Sequence, residues 1–421
     1  MASPLKVISP TDVASIAYEP VDPTALEDAT RIVQDVINDG LAGLKRHAVR
    51  LGDLPSDDAS VLVSPSELQQ AFDTLPEEHR KVLRRTAERI RVFAHAQRAS
   101  IGNFEQRIDG GFAGQDVSPM ATAGCYAPGG RYPLPSSVLM TAVTARVAGV
   151  QTIVVASPRP APATLAAAYV AGADYFLATG GAQAIAAMAY GVGGIPPCDI
   201  LVGPGNKWVT AAKSLVYGKC AIDMLAGPSE CLVIADETAN AATIAADLLA
   251  QAEHDIAAVP ILVSTSQETI EAVNHELTHQ LATLPSAATA SVSVTNGFAV
   301  LCPDLATCVR VSDVLAPEHL EIMTRNARDV AHQVGNYGGL FIGDRAAEVF
   351  GDYGAGPNHV LPTGGTAKYT GGLSVHTFLR IRTWMRIDDA QASQTLVQDS
   401  ALLARMEGLE GHARAAEKRL L

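Results

Sequence analysis

Residues 221–255 read AIDMLAGPSECLVIADETANAATIAADLLAQAEHD, and the rest of the chain repeats their pattern. A glycine-proline turn, Gly227-Pro228-Ser229-Glu230, precedes the apolar run Cys231-Leu232-Val233-Ile234-Ala235. A short apolar run bounded by such a turn predicts one buried strand. Asp236-Glu237-Thr238 then opens an alanine-rich helix, with acidic residues where a helix N-terminus favours them. The helix ends in Gln251-Ala252-Glu253-His254-Asp255. Gln251 and His254, spaced i,i+3, share one helical face. An imidazole beside an amide oxygen is half of a metal site, and the other half must come from elsewhere in the chain.

The same strand-turn-helix unit recurs on both sides. Upstream, 152–156, 175–178 and 199–202 read as strands, each followed by a turn and a helix (163–170, 184–190 and 208–216). Downstream, 260–264, 298–301 and 338–343 read as strands, with helical stretches at 267–284 and 306–314. This alternation predicts an α/β chain with parallel sheets, which place ligands beyond the strand C-termini. Residues 22–50 and 65–100 read as amphipathic helices, and the charges of the second read as a solvated face.

Composition narrows the class. A chain of 421 residues has room for two or three domains, and 48% hydrophobic against 18% charged residues is ordinary for a globular protein. A net charge of −13 argues against nucleic-acid binding, which needs clustered Lys and Arg. No stretch reaches the ~18 apolar residues of a membrane span. The N-terminal sequence reads as neither a secretory signal nor a transit peptide, so a cytoplasmic location is expected. Cysteines 125, 198, 220, 231, 302 and 308 form no CxxC and read as buried thiols.

Several motifs have a chemical reading and a bland one. Gly203-Pro204-Gly205 supplies two glycines of a dinucleotide fingerprint, but Trp208 occupies the third position. From spacing alone, the glycine turns are phosphate cradles or simply tight βα turns. Glu318-His319, after Pro317, has the composition of an acid/base pair, although such a dipeptide is usually surface chemistry. The loop 351–365, GDYGAGPNHVLPTGG, carries Asp352 and His359; long Gly/Pro loops in compact domains tend to be functional. The tail from Asp388 reads as helical, with a docking face of Leu402, Leu403, Met406 and Leu409.

Taken together, GCYAPGG, GGAQAIAA, VGPGNKWV, DMLAGPSE, DLLAQAEHD, LAPEHLE, GDYGAGPNHVLPTGG and EGLEGH closely resemble the histidinol dehydrogenase family, in family order from about residue 70 to the C-terminus. The resemblance implies two incomplete Rossmann-like domains with parallel-sheet βα repeats, plus small helical N- and C-terminal segments. It places the N-terminal segment at 1–19, an NAD-binding domain at 126–230, and a larger domain at 20–125 together with 231–372. A tail domain, 373–421, reaches the partner subunit of a homodimer. It implies one zinc per subunit, held by Gln251, His254, Asp352 and His412, the last from the partner's tail. Glu318 and His319 become the catalytic pair, with His319 the base for the alcohol and Glu318 the base for water. Ser229, Gln251, His254, His319, Asp352, His359, Glu407 and His412 become substrate contacts, and Tyr126, Gln183 and Asn206 become NAD contacts. The implied reaction takes L-histidinol through L-histidinal to L-histidine with two NAD. Residues 368–382 depart from the family's usual serine-rich form, and paralogues of this fold act on other small polyols, amino alcohols or a sulfonated diol. The GPSE and metal-loop motifs are intact here, which favours histidinol.

Overall fold

The computed structural model of the chain describes residues 5–16, 21–129 and 132–421. Residues 1–4 and 17–19 of the expected N-terminal segment lie outside the described residues, as do Gly130, the last residue of GCYAPGG, and Arg131. Two six-stranded sheets carry the architecture. In the first, the parallel strands Tyr175–Leu177, Thr152–Ala156, Thr122–Tyr126, Ile200–Val202 and Ala221–Ile222 lie in that order. In the second, Phe298–Leu301, Val259–Ser264, Glu230–Ala235, His319–Met323 and Gly339–Ile342 do the same. Each core therefore has the order 3-2-1-4-5 of a Rossmann-like half, with its first strand at the centre. Each gains a sixth strand at the same edge. Leu62–Val63 adds antiparallel to Tyr175–Leu177, and Lys6–Ile8 adds parallel to Phe298–Leu301.

The predicted units fold where the sequence places them, joined by two strands it did not predict, Thr122–Tyr126 and His319–Met323, and with three further differences. The helix of the central stretch begins at Ala241, not at Asp236. Asp236 turns back on Thr238, accepting from its backbone N–H and its hydroxyl, and Asn240 provides the cap by accepting from Ala242 and Thr243. The amphipathic stretches each break in two, at Gly40 with φ +57° and at Leu75-Pro76. A third, antiparallel sheet of Phe104–Ile108, Gly111–Pro119 and Leu379–Ile387 was not read from the sequence. The departing segment 368–382 runs into its edge strand.

The packing also differs from the expected grouping of 20–125 with 231–372. Apolar faces of the helices within 23–50 close on helices Gly181–Tyr190 and Lys207–Val216 of the first sheet. Those within 65–99 close on Pro135–Ala148 and Pro162–Ala171. Thr122–Tyr126 is itself the first sheet's central strand. The reason is local: each of these helices has one apolar stripe, and the first sheet's alanine-rich helices offer flat apolar surface for it. The loop after 352 adds Val360, Leu373, Val375 and Phe378 to that same core, while its Gly364 N–H donates to Glu230 of the second sheet at 3.2 Å, so it touches both sheets.

Two contacts fix the first sheet's C-terminal edge, where the chain leaves for the second. Gly203 has φ +115°, and a Cβ there would lie 2.0 Å from the carbonyl oxygen of Tyr126. Only glycine lets the two strand ends approach so closely. Nearby, Lys213 and Asp223 form an ion pair with side chains 4% and 0% exposed. Lys213 Nζ also donates to the Gly203 carbonyl at 3.0 Å, and Asp223 Oδ2 accepts from the Gly203 N–H at 2.7 Å. The pair thus staples the glycine turn to the segment that crosses into the second sheet. Lys213→Met would leave Asp223 buried with one charge uncompensated, a loss of about 3–5 kcal/mol. Urea denaturation of the variant checks this, and a loss below about 1 kcal/mol would show the pair to be effectively solvated.

Candidate active site

The helix Leu305–Leu315 stops at Ala316, which adopts a left-handed conformation with φ +50°. Pro317 follows, and the chain enters strand His319–Met323 directly. Parallel pairing sets Cys231 opposite His319, so Glu318 and His319 lie at the N-terminal edge of the second sheet beside Glu230. His319 Nδ1 is 3.1 Å from the Glu230 carbonyl oxygen and donates to it, which leaves Nε2 as the acceptor on the other side of the ring. Glu318 Oε2 accepts from the Glu230 N–H at 3.0 Å. Three carboxylates surround the imidazole: Glu318 and Glu348 at 3.7 and 3.8 Å from Nδ1, and Asp352 at 3.7 Å from Nε2.

These groups are nearly dry, and their proton affinities follow. Burial raises Glu318 to about 7, against the pull of His319 and the Glu230 N–H. Burial and the Glu318 charge raise Glu230 to about 7. Burial opposes charge on His319, but Glu318, Glu348 and Asp352 outweigh it and hold the imidazole well above its ordinary value. Asp352 goes the other way: burial would raise it, yet the nearby His319 imidazole brings it below the usual carboxylate range.

Of the four expected metal ligands, the chain brings three together. Gln251 is fully buried in helix Ala241–Ala252, and neither polar atom of its amide has a partner in the protein. His254 lies in the turn just past that helix, its N–H donating to the Gln251 carbonyl at 3.2 Å, so the i,i+3 relation survives outside the helix proper. His254 Nε2 is 3.9 Å from Asp352 Oδ2, on the last residue of the short helix Glu348–Asp352. An orphaned buried amide beside an imidazole and a carboxylate fits zinc, which accepts nitrogen and oxygen donors. His412 and Glu407 sit exposed on the tail, whose helices Gln394–Met406 and Glu410–Glu417 pack on each other through Ala401, Ala404 and Ala413. Among the described residues, no hydrogen bond or ion pair of either joins it to the group around His319.

His359 Nδ1 donates to the Asp352 carbonyl at 2.9 Å, and its Nε2 is 3.1 Å from Ser137 Oγ at the start of helix Pro135–Ala148. Together with Ser229, Glu318, Gly203, Asp223 and Thr363, it lines a cleft between the first sheet's C-terminal edge and the second sheet's N-terminal edge. Tyr126, Gln183 and Asn206 follow three strands of the first sheet on that same C-terminal edge. The Tyr126 hydroxyl accepts from the Gly181 N–H at 3.2 Å. Gln183 is buried, its Nε2 donating to Asp53 while its Oε1 has no partner. Asn206 Oδ1 caps the next helix by accepting from Trp208 and Val209.

Sequence reading missed the layer beneath. Cys231 Sγ, Glu321 and Glu348 offer atoms within 4.8 Å of one another, all buried. Glu321 Oε1 accepts from the Glu348 N–H at 2.9 Å, and the other carboxyl oxygens, Glu321 Oε2, Glu348 Oε2 and Asp247 Oδ2, have no hydrogen-bond partner. Burial first, then the neighbouring acids, raises Glu321 to about 9; burial raises Glu348 to about 8. At neutral pH these are carboxylic acids rather than an array of anionic ligands. Their trace in the sequence is Glu321 itself, a lone charge inside the apolar run Leu320-Glu321-Ile322-Met323.

Known proteins resemble this chain over most of its length. The family model for histidinol dehydrogenase matches residues 19–420. A histidinol dehydrogenase of Thermus thermophilus is 43% identical over 399 residues, covering 94% of this chain and 95% of that protein. A sulfopropanediol 3-dehydrogenase of Ruegeria pomeroyi is 40% identical over 372 residues, covering 86% of this chain and 85% of that protein. A crystal structure of histidinol dehydrogenase from Elizabethkingia anophelis superposes with a TM-score of 0.92 at 29% identity, covering 100% of this chain and 98% of that one.

The buried acids have a consequence for stability. Above the ordinary glutamate value of 4.5, the unfolded chain has lost protons that folded Glu321 keeps up to about 9. The folded state then binds more protons, so stability falls as pH rises between those values. Glu321→Gln keeps the acceptor for Glu348 N–H and removes the titration. Unfolding free energies measured from pH 5 to 9 should fall less steeply for the variant; equal slopes would show that Glu321 ionises normally.

Proposed function

The chain belongs to the histidinol dehydrogenase family, and from that premise we propose that it oxidises L-histidinol through L-histidinal to L-histidine with two NAD, as a cytoplasmic homodimer. The observation that carries this reading is the placement of His319 between Glu318, which lines the cleft between the sheets, and Asp352, which faces His254. Gln251, His254 and Asp352 would hold one zinc ion with His412 of the partner subunit. Bound there, zinc supplies a Lewis acid that holds and orients an amino alcohol bearing an imidazole.

The chain's own residues do the rest. Nδ1 of His319 stays on the Glu230 carbonyl, so Nε2 faces the alcohol as base. With Asp352 holding the ion, its pull on His319 would weaken, and the imidazole would then accept the alcohol proton. Tyr126, Gln183 and Asn206 hold the NAD that takes two electrons and a proton's worth of hydrogen from the carbinol carbon. The aldehyde stays in the cleft against Ser229, His359 and the partner's Glu407. Glu318, raised to about 7, takes a proton from water as the oxygen adds to the aldehyde carbon. The second oxidation then leaves the carboxylate, with His319 assisting. A larger lobe of 20–125 with 231–372 is supported as a functional grouping by the loop 352–378, which packs on the first core and bonds to Glu230 of the second sheet.

The second reading is oxidation of a sulfonated diol, favoured by the likeness to the Ruegeria pomeroyi sulfopropanediol dehydrogenase. Two NADH per histidinol, lost on chelation and restored by zinc, is the expected result for the first reading. Zinc-loaded protein giving no NADH from histidinol but turnover with the sulfonated diol would establish the second. Glu318→Gln should keep the alcohol step within a few-fold and slow aldehyde oxidation by ~10²-fold or more; wild-type rates in both steps would remove Glu318 from that role.

A further inference from the structure

Glu318 and His319 occupy the N-terminal edge of the second sheet, and the same strands end in a cavity at the opposite edge. Helix Ala241–Ala252, which follows the sheet's first strand, packs on one face, and Ala327–Ala331, which follows the fourth, packs on the other. The connections therefore part between strands Glu230–Ala235 and His319–Met323. Open parallel sheets take ligands in the crevice beyond the strand ends at such a point. Here the crevice is a cavity of about 550 Å³, lined by residues that follow the first, fourth and fifth strands. That volume is within the range of small-molecule sites.

A buried carboxylate holds the turns that form it. Asp236 is 5% exposed and accepts from the Thr238 N–H and hydroxyl and from the Arg325 N–H at 2.8 Å. It thus ties the turn after the first strand to the turn after the fourth, and with both oxygens occupied it is a brace rather than a ligand. The groups left over are polar and of both signs. Arg325 reaches Glu237 through Nη2 at 3.3 Å and keeps its other guanidinium donors. Arg328 is exposed and has no ion pair or side-chain hydrogen bond among the described residues. The Thr324 hydroxyl oxygen is buried without a partner. Asp329 and Asp344 are exposed on the same lining, also without an ion pair among the described residues, and Ile342 adds an apolar wall. Two guanidinium forks match a phosphate, while carboxylates with unused oxygens accept from hydroxyls.

We propose that this cavity is a second small-molecule site that takes a phosphorylated sugar, with Arg325 and Arg328 on the phosphate and Asp329 and Asp344 on the sugar hydroxyls. Inorganic phosphate engages only the arginines and a neutral sugar only the carboxylates, so each alone binds more weakly than the two joined. A free sugar phosphate and a nucleoside monophosphate share this chemistry; the second would also set its base against Ile342. The site lies at the far end of strand His319–Met323 from the catalytic imidazole, and its occupancy is measurable without turnover, independently of the dehydrogenase reading.

Isothermal titration calorimetry of the full chain is run with ribose 5-phosphate, inorganic phosphate, ribose and adenosine 5′-monophosphate, on the wild type, Arg328→Gln and Asp344→Ala. Ribose 5-phosphate should bind once per chain with a Kd of about 1 mM or tighter. Inorganic phosphate should bind about tenfold more weakly, and ribose more weakly still. Arg328→Gln should weaken ribose 5-phosphate about tenfold or more, with an unchanged urea midpoint because the side chain is exposed. Asp344→Ala should narrow the gap between ribose 5-phosphate and inorganic phosphate by about threefold or more, since it removes a hydroxyl acceptor and a repelling charge together. Tighter binding of adenosine 5′-monophosphate than of ribose 5-phosphate supports the site with a nucleotide as occupant, and weaker binding supports it with a free sugar phosphate. No binding of ribose 5-phosphate at about 10 mM would overturn the proposal. So would equal affinity in the wild type and Arg328→Gln, which would place the ligand elsewhere, and so would inorganic phosphate binding as tightly as ribose 5-phosphate.

Discussion

The parallel pairing of Cys231 with His319 is the constraint on which the site depends. It joins the first strand of the second sheet to its fourth, and it brings Glu230, Glu318 and His319 to one edge. A one-residue slip would turn the imidazole to the opposite face of the sheet. The register is held by five paired positions between strands buried on both faces. It is held again from outside, because the Glu230 backbone both donates to Glu318 and accepts from His319. The backbone of one strand thus orients both members of the pair on the next.

Crowding four acids, Glu230, Glu318, Glu348 and Asp352, around one imidazole, with Glu321 beneath Glu348, is costly unless protons or cations compensate. The chain uses both. His319 and Asp352 stabilise each other's charged forms, while the deeper Glu321 and Glu348 keep their protons. An uncompensated cluster of this depth would unfold the edge of the sheet. The site is therefore an arrangement of unequal acids, each set by its depth and its neighbours, and that inequality separates a group able to act on water from groups that only support the histidine.

Much of this was legible in the sequence. Alternating apolar runs and alanine helices gave the βα units nearly residue by residue, because each strand is buried on both faces and each turn is marked by glycine or proline. Motifs in family order gave Glu318, His319, Gln251, His254 and Asp352, which the fold brings together. The antiparallel sheet escaped because Phe104–Ile108 and Leu379–Ile387 are largely exposed and lack an apolar period. The packing of 23–99 on the first sheet escaped because a helix's apolar stripe states that it is buried and not against what. Strand His319–Met323 escaped because its first residues were read as chemistry. The role of Glu230 escaped because it is carried by main-chain atoms, which no side-chain pattern reports.

The six cysteines are free and buried, and they divide evenly between the two sheets: 125, 198 and 220 with the first, 231, 302 and 308 with the second. Burial pushes the Cys125 thiol up to about 12, so it is inert while its strand stays packed. Alkylation at any of these positions therefore reports a local opening event rather than surface chemistry. The chain carries its own set of clocks. The order in which they are labelled under native conditions ranks the two halves by how often each comes apart, and it tells whether a molecule built on one repeated topology opens as one body or as two.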